Sequence, residues 1–149
     1  MSLEAWRESG FVVEHEASRQ EISELLEIVD TDLADARIGA LSNKRRFACC
    51  YSAILNAVRA ALAASGFRVP KGNPSHHYYA IQSLRHTVEL EPTVVQQVEA
   101  MGKKRAEGGY VRVGGVSESM ANEALAFAED CCKRIVDCIR VQHPSLMAS

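Results

Sequence analysis

One Ala-rich stretch in the first half of the chain strongly constrains the fold. Residues 43–65 place large apolar side chains three and four positions apart and alanine at many of the positions between them. The large side chains are Phe47, Tyr51, Ile54, Leu55, Val58 and Leu62, and the alanines are Ala48, Ala53, Ala57, Ala60, Ala61, Ala63 and Ala64. This spacing places the large side chains on one face of an α-helix, and alanine lets a neighbouring helix approach closely. We predict a helix over 43–65, capped by Ser42 and ended by Gly66.

The other apolar residues also recur at helical spacing. Ser18 and Glu21 resemble a capping box before a helix over 19–34, which continues or kinks through 35–38. Further helices are predicted over 75–89, 93–105 and 118–142, with Asn73 and Ser117 as caps and Pro74 and Pro144 as boundary residues. Residues 67–74 read as a loop, and no segment shows convincing strand alternation. We expect one all-α domain over 1–149, an antiparallel bundle of four to five helices, with 1–17 and 143–149 as terminal extensions.

The composition indicates a folded globular protein but does not indicate its function. The chain has 149 residues, of which 47% are hydrophobic and 24% charged, and its formal net charge is -2. A chain of this kind can bury a core and is not disordered, and it has no global basic field for non-specific nucleic-acid binding. Because no apolar run approaches about 20 residues and charged residues interrupt the N-terminus, we expect a cytoplasmic protein without a membrane span or signal peptide.

Cysteine and histidine spacing predicts neither a metal nor another cofactor. The five cysteines include no CxxC pair, and we expect reduced thiols that pack as small hydrophobes. His76 and His77 are adjacent and diverge on a helix, while His86 is too distant along the same predicted helix for a shared metal. His15 and His143 are expected to be exposed near the termini.

A basic segment is the strongest candidate for ligand chemistry. Lys103, Lys104, Arg105 and Arg112 lie close together in sequence with Gly108, Gly109 and Tyr110. Guanidinium and ammonium groups beside flexible backbone N–H groups can hold a phosphate. The alternative is a solvated basic turn that completes a helix, since cations are favoured at a helix C-terminus.

Several stretches together resemble the HEPN family, small helical bundles of prokaryotic toxin–antitoxin and nucleic-acid-defence proteins. Residues 32–36 and 47–62 resemble the first two helices of that family, 105–110 its arginine segment, and 116–129 its Ser-capped closing helix. The resemblance covers roughly 30–142. It implies an all-α domain that forms a homodimer and binds a nucleotide, RNA or a nucleotidyltransferase-type antitoxin.

The resemblance also implies a catalytic pair, which this sequence alters. Catalytic members carry Arg, four to six residues and then His, and they cut RNA without metal; the matching positions here are Arg105 and Tyr110. Tyrosine ionises near pH 10 and is a poor base at neutral pH, so we expect binding with weak or no catalysis. The alternatives are a metal-independent endoribonuclease that uses Arg105 and Tyr110, and a non-catalytic all-α scaffold. The sequence does not place His76, His77 or His86 relative to this pair.

Overall fold

The computed structural model describes residues 2–72, 75–110 and 115–147, with side chains at all of these positions except 106–110. The prediction of a mostly all-α bundle is confirmed. In chain order the elements are α1 (Leu3–Glu8), β1 (Val13–Glu14), α2 (Arg19–Ala36), α3 (Asn43–Ala64), β2 (Phe67–Arg68), α4 (His76–Gln82), α5 (Leu84–Thr87), α6 (Pro92–Tyr110), α7 (Glu118–Gln142) and a final 3-10 turn (Pro144–Leu146).

The Ala-rich helix α3 is the centre of the bundle. It packs most extensively against α2 and α7, and also contacts α4, α5 and α6. Leu55, Val58 and Leu62 are buried, as the spacing predicted. By length and composition alone α3 could cross a membrane, but 78% of its apolar stretch is buried inside the molecule. Its apolar character is that of a core helix covered by neighbours on several sides.

Serine side chains cap α2, α3 and α7. The hydroxyl oxygens of Ser18, Ser42 and Ser117 each accept a hydrogen bond from the backbone N–H three residues later, at 3.0–3.2 Å. Each bond satisfies one of the free N–H groups at a helix start. These caps explain why α2, α3 and α7 begin where the sequence predicts.

The N-terminal segment is part of the packed domain. We expected 1–17 as a terminal extension, yet Trp6 and Val12 are buried in the core. Val13 and Glu14 form β1, which pairs antiparallel with Phe67 and Arg68 of β2. Residues 67–68 are therefore a strand rather than loop, and two residues per strand are too few to show alternation in sequence.

Two predicted helices have different boundaries. The helix over 75–89 is divided at Ser83, whose buried hydroxyl donates to the Ala80 carbonyl at 2.6 Å; such back-bonding bends helices. The predicted cap Asn73 and the following Pro74 lie outside the described residues. The helix over 93–105 continues to Tyr110, although two glycines cost about 1 kcal/mol each relative to alanine inside a helix.

The apolar spacing over 118–142 predicts a packed stripe of Met120, Ala124, Phe127, Cys131, Ile135, Cys138 and either Val141 or Gln142, and the buried face of α7 is rotated from it. Phe127 is only half-buried, Val141 is 80% exposed, and Gln142 is exposed as well. The residues that α7 buries are mostly small: Ala121, Ala124, Ala128, Cys131, Cys132, Ile135 and Ile139. Small residues lie at this face because α3 and α7 pack closely along their length.

Candidate functional site

Tyr51 is the centre of a polar cluster formed by three helices. Its ring is 3% exposed on α3. The Arg105 guanidinium carbon of α6 lies 5.9 Å from the Tyr51 ring centroid, within cation–π range. The His77 ring of α4 meets the same ring nearly edge-on, with centroids 6.4 Å apart. The fold therefore brings Arg105 and an imidazole to one aromatic side chain.

Positive charge surrounds the two histidines of α4. Their rings lie 5.1 Å apart. Burial and the charge of Arg59 lower the pKa of His76, and burial, His76, Arg59 and Arg105 lower the pKa of His77. Both imidazoles are therefore mostly neutral at pH 7, because their pKa values lie below the ordinary 6.5. Burial raises the pKa of Tyr51, while Arg105 and Arg59 oppose that rise.

His76 and Arg59 also line a cavity of about 730 Å³ between α2, α3, β2 and α4. Arg68 and Lys71 line it from the β2 side, and its apolar walls are Leu25, Leu62, Ala63, Val69 and Ala80. Among the described residues that line it, Glu21 alone is acidic, and its carboxylate lies 2.8 Å from His15 Nε2. We call Arg59, Arg68, Lys71, His76, His77 and Arg105 the basic cleft.

The four permanent cations of the basic cleft lack acidic partners. Several other cations form ion pairs with carboxylates, as Arg37 does with Glu129 and Arg134 with Glu91, each at 2.9 Å. Within the described part of the chain, no carboxylate lies within 4.0 Å of the cleft's guanidinium or ammonium groups. An uncompensated group of like charges beside a cavity is suited to an anionic ligand.

Among the side chains that the structure describes, only one of the site residues predicted from the basic segment lies in the cleft. Arg105 joins the cleft, whereas Lys103 and Lys104 of α6 make no contact with Tyr51 or His77 among the contacts that the structure describes. Tyr110 ends α6, and its side chain lies outside what is described, as does Arg112. The pairing of Arg105 with Tyr110 therefore stays a prediction.

The remaining histidines do not contact Tyr51, Arg105 or His77 among the described contacts. His86 packs edge-on against Trp6, with ring centroids 5.1 Å apart. The expectation that His15 and His143 are exposed was wrong, because both are half-buried. His15 is held by Glu21 across the turn between β1 and α2, and that contact shields its ring.

The sequence pattern assigns none of Tyr51, Arg59, Arg68 and Lys71 to a site. One signal could have found Arg59: between Tyr51 and Ala64 it is the single charged residue of α3. A cation in the central helix of a bundle is rarely without a partner or a ligand. Arg68 and Lys71 gave no comparable signal, because loop cations are ordinary.

The cysteines show no reactive site. All five are free thiols, and Cys50, Cys131 and Cys132 are buried as predicted. Burial raises the pKa of Cys50 to about 11 and that of Cys131 to about 12. Among the described residues, no group of three or more His, Cys, Asp or Glu side chains could hold a metal ion.

Comparison with known protein families, with curated proteins and with solved structures finds no match to this chain. The geometry of the basic cleft is therefore the basis for a functional proposal.

Proposed function

We propose that this protein binds a phosphate-bearing ligand, RNA or a nucleotide, in the basic cleft. The observation that carries the proposal is the set of four cations without acidic partners, of which Arg59, Arg68 and Lys71 line a cavity of about 730 Å³. The HEPN resemblance independently favours the same ligand class. A homodimer and a nucleotidyltransferase-type partner are further parts of the proposal that rest on the resemblance alone.

The cleft offers complementary kinds of contact to a phosphate. Arg59 is half-buried, so a bound phosphate would meet its guanidinium in a partly desolvated setting, where a charge-assisted hydrogen bond is stronger. Arg68 and Lys71 are exposed and would attract the ligand from solution. The mostly neutral imidazoles of His76 and His77 would add hydrogen bonds, and protonation below pH 6.5 would add charge. Affinity should therefore rise as pH falls through the histidine range.

The experiment is a binding titration of short single-stranded RNA at several salt concentrations. If four cations contact phosphates, the logarithm of the association constant should fall with the logarithm of salt at a slope of about -2.8. Arg59→Gln should weaken binding about 10- to 100-fold, as loss of a charged hydrogen bond does, and should flatten the slope by about 0.7.

Arg45→Gln is the matched control. Arg45 is exposed on the same helix, about 21 Å from Arg59 at 1.5 Å per residue, and its loss changes the net charge equally. If the two variants weaken RNA binding equally, the affinity depends only on the overall charge of the protein, and a binding site at the cleft is contradicted. No binding of RNA or of a nucleotide by the parent protein would leave the scaffold alternative.

The ribonuclease alternative has one supporting observation, the place of His77. A neutral imidazole near an arginine is a suitable base for RNA cleavage, unlike a tyrosine hydroxyl. The RNA samples from the titration can be analysed for cleavage. Cleavage that His77→Gln abolishes, with binding retained, would favour catalysis over binding alone.

A further inference from the structure

A second cavity, of about 470 Å³, lies at the other flank of α4 and is aromatic. Its lining includes Trp6, Phe11, Tyr78 and Tyr79. Phe11 and Tyr79 stack nearly parallel, with centroids 4.6 Å apart and an interplanar angle of 14°. Trp6 meets Tyr79 edge-on at 5.5 Å. These mutual contacts fix a rigid aromatic wall beside an open space.

Gln82 supplies an unused polar group to this cavity. The residue is 8% exposed and lines the space beside the aromatic rings. The other buried polar residues, Arg46, Asn56, Ser83 and Thr87, all form side-chain hydrogen bonds within the protein. The Gln82 amide forms none with any described residue, and its atoms are not sealed from the cavity. Because the amide is accessible from the cavity and is not engaged within the protein, it can donate and accept hydrogen bonds with a ligand there.

Two further side chains are accessible at this site. Tyr78 is 53% exposed, and its ring is the most accessible of the four aromatic rings. Arg85 is exposed, and no carboxylate among the described residues pairs with it. The cavity therefore combines an aromatic face for stacking, an accessible amide that can donate and accept hydrogen bonds, and a cation.

The aromatic cavity and the basic cleft lie on different sides of one short helix. His76 and Ala80, which share one face at a spacing of four, line the first cavity, whereas Tyr78, Tyr79 and Gln82 line the second. A helix with its side chains is about 10–12 Å across. A ligand that reaches both sites must therefore pass over α4, which a strand of several nucleotides can do and a mononucleotide cannot.

We propose that the aromatic cavity is a nucleobase subsite and that the ligand is a single-stranded RNA segment crossing α4. A base would stack on Tyr78, the Gln82 amide would hydrogen-bond to the edge of that base, and Arg85 would contact an adjoining phosphate. Aromatic stacking with cationic tracking of the backbone is the general mode of single-strand binding. This inference rests on the proposed function, since the basic cleft holds the neighbouring phosphates.

The experiment uses Trp6, the single tryptophan of the chain, as a reporter inside the cavity. Short oligoadenylate should change the fluorescence of Trp6, whereas inorganic pyrophosphate, which has no base, should bind the cleft without that change. Tyr78→Ala should weaken oligoadenylate binding at least about fivefold, the lower end for loss of one stacked base, and leave pyrophosphate affinity unchanged. Tyr78→Phe should bind like the parent, because stacking does not need the hydroxyl.

Gln82→Met separates base recognition from stacking. It keeps the length of the side chain and removes the amide, so it should reduce the difference in affinity between oligoadenylate and oligouridylate. If Tyr78→Ala binds oligoadenylate normally while Arg59→Gln does not, the base subsite is wrong and the proposed function stands. If the parent binds neither oligonucleotide nor pyrophosphate, both proposals are wrong.

Discussion

Gly102 determines how closely α6 approaches the centre of the cleft. A β-carbon built at this position would lie 2.8 Å from the Tyr51 hydroxyl oxygen and 3.1 Å from its Cζ atom. The Tyr51 ring is buried and contacts both Arg105 and His77, so it cannot move aside freely. Gly102→Ala should therefore create a steric conflict at the site itself.

The expected change in the free energy of unfolding on Gly102→Ala is the balance of two opposing effects. Replacing glycine by alanine inside a helix gains about 1 kcal/mol, while overpacking a buried site costs about 1–3 kcal/mol. Gly102→Ala should thus destabilise the protein by about 0–2 kcal/mol instead of stabilising it. In a Tyr51→Phe background the nearest atom is absent, and the same change should be about 1 kcal/mol less unfavourable.

Urea denaturation of the two single variants and the double variant measures this coupling. Gln97, exposed on the same helix, calibrates the intrinsic effect: Gln97→Gly minus Gln97→Ala gives the glycine–alanine difference in α6 without a clash. If Gly102→Ala stabilises by the full calibrated amount and shows no coupling to Tyr51→Phe, then α6 does not lie against Tyr51 and the cleft as described is wrong.

Two other predictions concern stability. Leu55 is 6% exposed on α3, so Leu55→Ala should lower the free energy of unfolding by about 2–5 kcal/mol. Val141 is 80% exposed, so Val141→Ala should change that free energy by less than about 0.5 kcal/mol. Burial, aided by the charge of Asp35 and opposed by a Ser52 hydrogen bond, raises the pKa of Asp32 above 3.8, so the folded state loses stability as pH rises past that value. Asp32→Asn should therefore stabilise the protein at pH 7 and not at pH 3 in parallel denaturation curves, and an equal gain at both values would contradict a buried charge as the cause.

Local signals in the sequence were sufficient for the bundle. The serine caps and the spacing on α3 depend on residues within a turn or two of one another, so the chain displays them directly. The break at Ser83 and the extension of α6 through Gly108 were not predicted, because tertiary packing overrides weak propensities. The β1–β2 pairing was missed since two-residue strands leave no periodic pattern.

The site was predictable only where one residue stood out locally. Arg105 was found because it lies in a cluster of cations, but its neighbours Tyr51 and His77 come from other helices. Tyr51 fits the apolar stripe of α3 as well as any core residue, and only the approach of α6 at Gly102 gives its ring a second role. Contacts between positions so far apart in sequence leave no local pattern.

The placement of Arg59 shows how the fold and the proposed function are connected. A folded protein of net charge -2 has enough carboxylates to pair a cation in its central helix, yet Arg59 stays without one among the described residues. Burial and the charge of Arg59 lower the pKa of His76, and burial, His76 and Arg59 lower that of His77, so the histidines add little repulsion at neutral pH. Such a local departure from charge compensation destabilises the free protein and is expected at functional sites. A phosphate in the cleft would remove that repulsion, so the same arrangement that weakens the empty fold would strengthen its complex with RNA.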